Sequence, residues 1–106
     1  RVEVVAALAK AVRMKLVPHN EAASALQVFN AEWVDLVRVQ MTETLVIRAA
    51  SLAWDHRLRG YDAAHLASAL FWQDTLGEPV TLASYDRQLW EAAKTTGLLA
   101  WPESRP

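Results

Sequence analysis

Asp62-Ala63-Ala64-His65-Leu66-Ala67-Ser68-Ala69-Leu70 leads, past Gly77 and Pro79, into Val80-Thr81-Leu82-Ala83 and then Ser84-Tyr85-Asp86. In the first stretch Ala63, Leu66, Ala67 and Leu70 recur at helical spacing, a stripe whose alanines permit close packing. Gly77 and Pro79 end that helix, and Val80–Ala83 is short and apolar enough for a buried strand. Asp86 opens another helix that runs through Lys94 to a stop at Gly97, and Leu98–Trp101 is a last short strand. Strands alternating with helices argue for a parallel sheet with helices on its faces.

Upstream the pattern continues. Val4, Val5, Leu8 and Val12 make an apolar stripe over Val2–Met14, and Pro18 closes the segment. Asn20 is a good cap for a second helix from Glu21 to about Asn30. The β-branched content of Val34–Val39 suits a strand buried on both faces. Thr42 caps a helix to about Arg57 with Leu45, Ala49, Leu52 and Ala53 inward, and Gly60 is expected to supply its left-handed stop. The whole reads as one α/β domain over residues 1–106.

Composition narrows the class. Just over half of the 106 residues are apolar, enough for one core at this length. The formal charge is -1, so any nucleic-acid binding must come from a local groove. With no cysteine there are no disulfides and no thiolate metal sites, which accords with the cytoplasm. No apolar run approaches the roughly 20 residues that cross a bilayer, and no leader pattern is visible, so a membrane role is not expected.

In parallel α/β sheets functional groups gather beyond the carboxyl ends of the strands, and Asp86 lies there, two residues after Ser84. Asp62 sits at the start of another helix, where the dipole favours negative charge. Taken singly, an Asp that opens a helix is more often a cap than a ligand. The surroundings shift that balance. Gly60–Leu70 with its Asp62-Ala-x-His65-Leu-Ala core, then Thr81–Leu89 with Ser84-x-Asp86-x-x-Leu89, then Glu91-Ala-Ala93 and Gly97-Leu98 together resemble the C-terminal half of PIN-domain ribonucleases, above all the VapC-type toxins of toxin–antitoxin systems. Arg1–Leu8, carrying Glu3, is similar to the family's helix with its second acidic residue.

The resemblance implies a PIN-like three-layer α/β/α fold with a short parallel sheet, incomplete at the N-terminus because the family's first strand and its acidic residue are not in the chain. It implies a metal-dependent endoribonuclease that cuts RNA, with Glu3, Asp62 and Asp86 as ligands for Mg²⁺ or Mn²⁺ and Ser84 as the small hydroxyl that orients the site. It also implies an antitoxin partner and a homodimer. The donor set suits the metal, since Mg²⁺ prefers carboxylates and water. The other reading is a PIN-like domain that binds RNA or protein without catalysis.

The remaining polar residues are secondary. His65 shares a helix face with Asp62 and is read as a structural hydrogen-bond partner; His19 and His56 are read as solvated. Arg57, Arg59 and Arg87 flank the acidic motifs, where they could meet RNA phosphates or serve as surface charge. Trp33, Trp54, Trp72, Trp90 and Trp101 are assigned to core or subunit contacts.

Overall fold

Five helices and two short strands follow one another in the computed structural model, which describes residues 1–106. They run α1 (Val2–Arg13), α2 (His19–Glu32), α3 (Glu43–His56), α4 (Gly60–Leu76), β1 (Thr81–Ala83), α5 (Arg87–Thr95) and β2 (Leu99–Trp101). The chain divides into two compact units, Arg1–Arg38 and Val39–Pro106.

In Arg1–Arg38, α1 ends where Lys15 takes a left-handed φ of 57°. The Leu16 amide then reaches back to the Ala11 carbonyl at 2.9 Å and the Lys15 amide to that of Val12 at 3.0 Å, so the last turn's carbonyls are satisfied. Helix α2 begins earlier than its sequence suggests. Pro18 is the N-cap, and Asn20 lies inside the first turn. Proline loses nothing at a helix start, where its missing N–H would have no helical partner. The strand expected over Val34–Val39 is not formed: Trp33–Asp35 is a single 3-10 turn, and the chain beyond it is irregular. β-branched content measures fit to a pleated surface, and it makes no strand where no neighbouring ladder takes the backbone groups. Trp33 instead lies edge-on to Phe29 and under the guanidinium groups of Arg1 and Arg38.

Val39–Pro106 holds the core: Leu45 and Ala49 of α3, Ala63, Leu66, Ala67 and Leu70 of α4, Leu82 of β1, Leu89, Ala92 and Ala93 of α5, with Leu58 and Leu98 from the connections. The inward stripe of α4 is the one its spacing predicts. Thr42 caps α3, its Oγ1 accepting from the Leu45 amide at 3.2 Å. The left-handed stop of α3 falls on Arg57 (φ 54°), whereas Gly60 is the first residue of α4. The Leu58 amide closes the stop on the Ala53 carbonyl at 3.1 Å, which buries Leu58. That burial fixes where the chain must turn.

Strands β1 and β2 pair in parallel with Thr81 opposite Leu99, Leu82 opposite Ala100 and Ala83 opposite Trp101. Helix α5 is the crossover between them, so the element order is a β–α–β unit with α3 and α4 before it. The class is α/β, mostly helical, with a two-stranded parallel sheet. No helix is long and apolar enough to cross a membrane.

Candidate functional site

The chain leaves β1 at Ala83 and turns through Ser84-Tyr85-Asp86 into α5. Two local hydrogen bonds shape that turn. The Asp86 amide donates to Ser84 Oγ at 3.1 Å, and Asp86 Oδ1 accepts from the Leu89 amide at 2.9 Å. Asp86 is therefore the N-cap of α5, as an Asp at a helix start commonly is. The cap occupies one carboxylate oxygen and fixes the other, Oδ2, in direction. A further bond, from the Ser84 amide to the Trp101 carbonyl at 2.9 Å, anchors the turn to β2.

Asp62 reaches the same place from α4. It lies in the first turn of that helix without capping it; the N-cap position is Arg59, whose side chain makes no capping bond. Gln88, in the first turn of α5, donates through Nε2 to the carbonyls of Arg57 at 2.8 Å and His56 at 3.3 Å. That tie holds the turn between α3 and α4 against the start of α5, and it brings the two acidic turns together.

One guanidinium joins them. Arg59 Nε donates to Asp62 Oδ2 at 3.3 Å, and Arg59 Nη2 donates to Asp86 Oδ2 at 3.3 Å. Asp62 and Asp86 thus converge on a single cation. The carboxylates are the more sheltered partners, with side chains 21% and 38% exposed against 80% for Arg59. The guanidinium consequently lies on the solvent side of the pair.

Ser84 lies beside Asp86 and accepts a hydrogen bond from its amide. Glu3 belongs to the other compact unit, in the first turn of α1. The structure contains no group of three or more His, Asp or Glu side chains arranged to hold a metal ion. His65 is exposed on α4. Arg87 donates through Nε to the Pro106 carbonyl at 2.6 Å. Gln88 escaped the sequence reading, since a glutamine in a helix's first turn carries no motif. The Arg59–Asp62 pair had a signal, the three-residue spacing that sets two side chains on one helix face. The Arg59–Asp86 pair, spanning 27 positions, had none.

The aromatic residues around the site are mixed in role. Tyr85 packs edge-on to Trp101 with ring centroids 5.5 Å apart; Tyr85 is largely exposed and Trp101 is half-exposed. Trp90 is partly buried and donates from Nε1 to the Pro102 carbonyl at 2.8 Å. Trp54 is 86% exposed, which removes it from the core.

Two curated proteins are similar to the chain over most of its length. Ribonuclease VapC45 of Mycobacterium tuberculosis (strain CDC 1551 / Oshkosh) is 39% identical over 101 residues, a span of 94% of this chain and 67% of that protein. Ribonuclease VapC49 of Mycobacterium tuberculosis (strain ATCC 25618 / H37Rv) matches to the same extent. No protein-family model matches the chain. No solved structure matches it.

Proposed function

The chain belongs to the family of VapC ribonucleases, and from that membership we propose that it is a metal-dependent endoribonuclease, the toxin of a toxin–antitoxin pair, with Asp62 and Asp86 at its centre. The observation that carries this reading is the meeting of Asp62 Oδ2 and Asp86 Oδ2 on one cation. Caps that served only their own helices would have no reason to meet. The finer architecture proposed is the PIN-like three-layer arrangement, and the proposed setting is the cytoplasm, with RNA as substrate, an antitoxin as partner and a homodimer as the assembly.

The residues fit a hard divalent cation in chemistry and in convergence. Carboxylate oxygens are the donors that Mg²⁺ and Mn²⁺ prefer, and two of them already face one positive group. Asp62 and Asp86 would hold the ion. When bound, such an ion makes a coordinated water nucleophilic and offsets charge that builds on the scissile phosphate. The chain's own groups prepare for this. The Leu89 amide holds Asp86 Oδ1, which leaves Oδ2 to face the site, and Ser84 Oγ fixes the backbone from which that carboxylate projects. The N-terminus of α5 favours the negative charge Asp86 must keep.

The test is cleavage of a single-stranded RNA by the full-length protein with Mg²⁺, with Mn²⁺ and with chelator, in parallel with Asp62→Asn and Asp86→Asn. The expected result is cleavage only with metal, and a loss of at least about a hundredfold in either variant, as for removal of a group that acts directly on the transition state. Full activity in Asp62→Asn would refute the proposal. RNA binding without cleavage by the wild type would point to a binding domain of the same architecture.

A further inference from the structure

Arg59 occupies the N-cap position of α4, and its side chain makes no capping hydrogen bond there. Ser, Thr, Asp or Asn at the N-cap of α4 would accept a backbone hydrogen bond, and arginine, having only donors, cannot. Its guanidinium instead reaches outward and spans two carboxylates from two different helices. The planar fork suits this, because Nε and Nη2 can each serve a different acceptor, which a single ammonium does less well.

The contacts are loose. Both are 3.3 Å, longer than the usual range for a charge-assisted bond, and the side chain is 80% exposed. Exposed pairs of this kind hold weakly, so the fork can be displaced by a stronger cation without unfolding anything. It also engages the same Oδ2 atoms that a divalent ion would need. Guanidinium and metal cannot both have them.

We propose that Arg59 is a positioning residue that competes with the metal: it holds Asp62 and Asp86 together in the metal-free protein and must swing out before a divalent cation can bind. The proposal rests on the metal reading of these two carboxylates. Two consequences have opposite signs. Without Arg59 the carboxylates repel, so the metal-free protein loses stability; a divalent cation meets no competitor, so its affinity rises.

The experiment is Mn²⁺ binding to the full-length protein without RNA, by calorimetry and by the electron paramagnetic resonance of free Mn²⁺, for wild type, R59A, R59K and D62N. With two weak ion pairs removed, R59A is expected to bind Mn²⁺ on the order of threefold to tenfold more tightly. Its metal-free melting temperature should fall and its Mn²⁺-induced rise should exceed that of wild type. R59K should lie between the two, since one ammonium replaces part of the fork. Equal Mn²⁺ affinity in R59A and wild type, with binding lost in D62N, would overturn the role of Arg59 and leave the metal site standing. Absence of Mn²⁺ binding in wild type and R59A alike would overturn both.

Discussion

Replacing Asp86 by Asn and by Ala separates the two things its carboxylate does. Oδ1 accepts from the Leu89 amide and starts α5, while Oδ2 faces Arg59 and Asp62. Asparagine keeps an oxygen for the cap and loses the charge; alanine loses both. Asp86→Asn is expected to stay within about 0.5 kcal/mol of wild type in urea denaturation, because Asn and Asp cap about equally and the lost ion pair is partly exposed. Asp86→Ala should cost about 1 kcal/mol more, and both should lose RNA cleavage. Equal stability of the two variants would mean the cap contributes nothing. The same division explains how much of the site was legible in the sequence. Asp62, Ser84 and Asp86 stand out because their neighbours form a motif, and the structure puts them at the ends of α4 and β1. Arg59 was weighed as a phosphate contact or as surface charge, because its tie to Asp86 spans a helix and a strand, beyond any local pattern.

Helix ends show the same limit from another side. The stops at Gly77 and Gly97 were readable because both glycines take positive φ, 68° and 95°. Gly60 does not; it sits in the first turn of α4, and the left-handed residue before it is Arg57. A glycine signals permission for that conformation, and tertiary packing, here the burial of Leu58, decides where it is used. The two glycines should therefore answer differently to alanine. A Cβ at either position meets nothing within 4 Å, so backbone conformation alone sets the sign. Gly97→Ala is expected to destabilise by about 1 kcal/mol, the cost of a left-handed non-glycine residue. Gly60→Ala should stabilise by about 0.5 kcal/mol, since it restricts the unfolded chain and suits a helix. Urea denaturation of both variants checks the pair, and the same sign for both would contradict the assignment of the α3 stop to Arg57. The strands follow the opposite rule: β1 and β2 were legible because each is apolar and flanked by turn residues, whereas Val34–Val39 has β-branched residues but no partner ladder.

Apolar burial is spread unevenly along the chain. The residues of the core cluster all lie in Val39–Pro106, whereas Arg1–Arg38 buries only Ala22. On α1, Val2, Val4 and Val5 remain exposed, as does Val28 on α2, and no residue of α1 is buried. The apolar stripe of α1 is thus a property of its sequence that its surroundings use little. Helical hydrogen bonds alone do not hold such a segment, because in isolation helices of this length are marginal in water and most helical stability in proteins comes from packing an apolar face. Helix α4 is the contrast, with Ala63, Leu66, Ala67 and Leu70 all buried and Leu66 fully so. Opening α4 must expose the core, so its amides should exchange only when Val39–Pro106 unfolds as a whole. The α1 and α2 amides should exchange through local openings of much lower free energy. Native-state hydrogen exchange, followed amide by amide at increasing urea, measures both. The central amides of α4 are expected to report the global stability, of the order of 5–15 kcal/mol for a small domain, with a slope in urea that matches global unfolding. Those of α1 and α2 should lie several kcal/mol lower with a shallow slope, since local opening exposes little new surface. Equal free energies and equal slopes for α1 and α4 would show that the whole chain unfolds as one cooperative body, and that burial read along the sequence does not rank its parts.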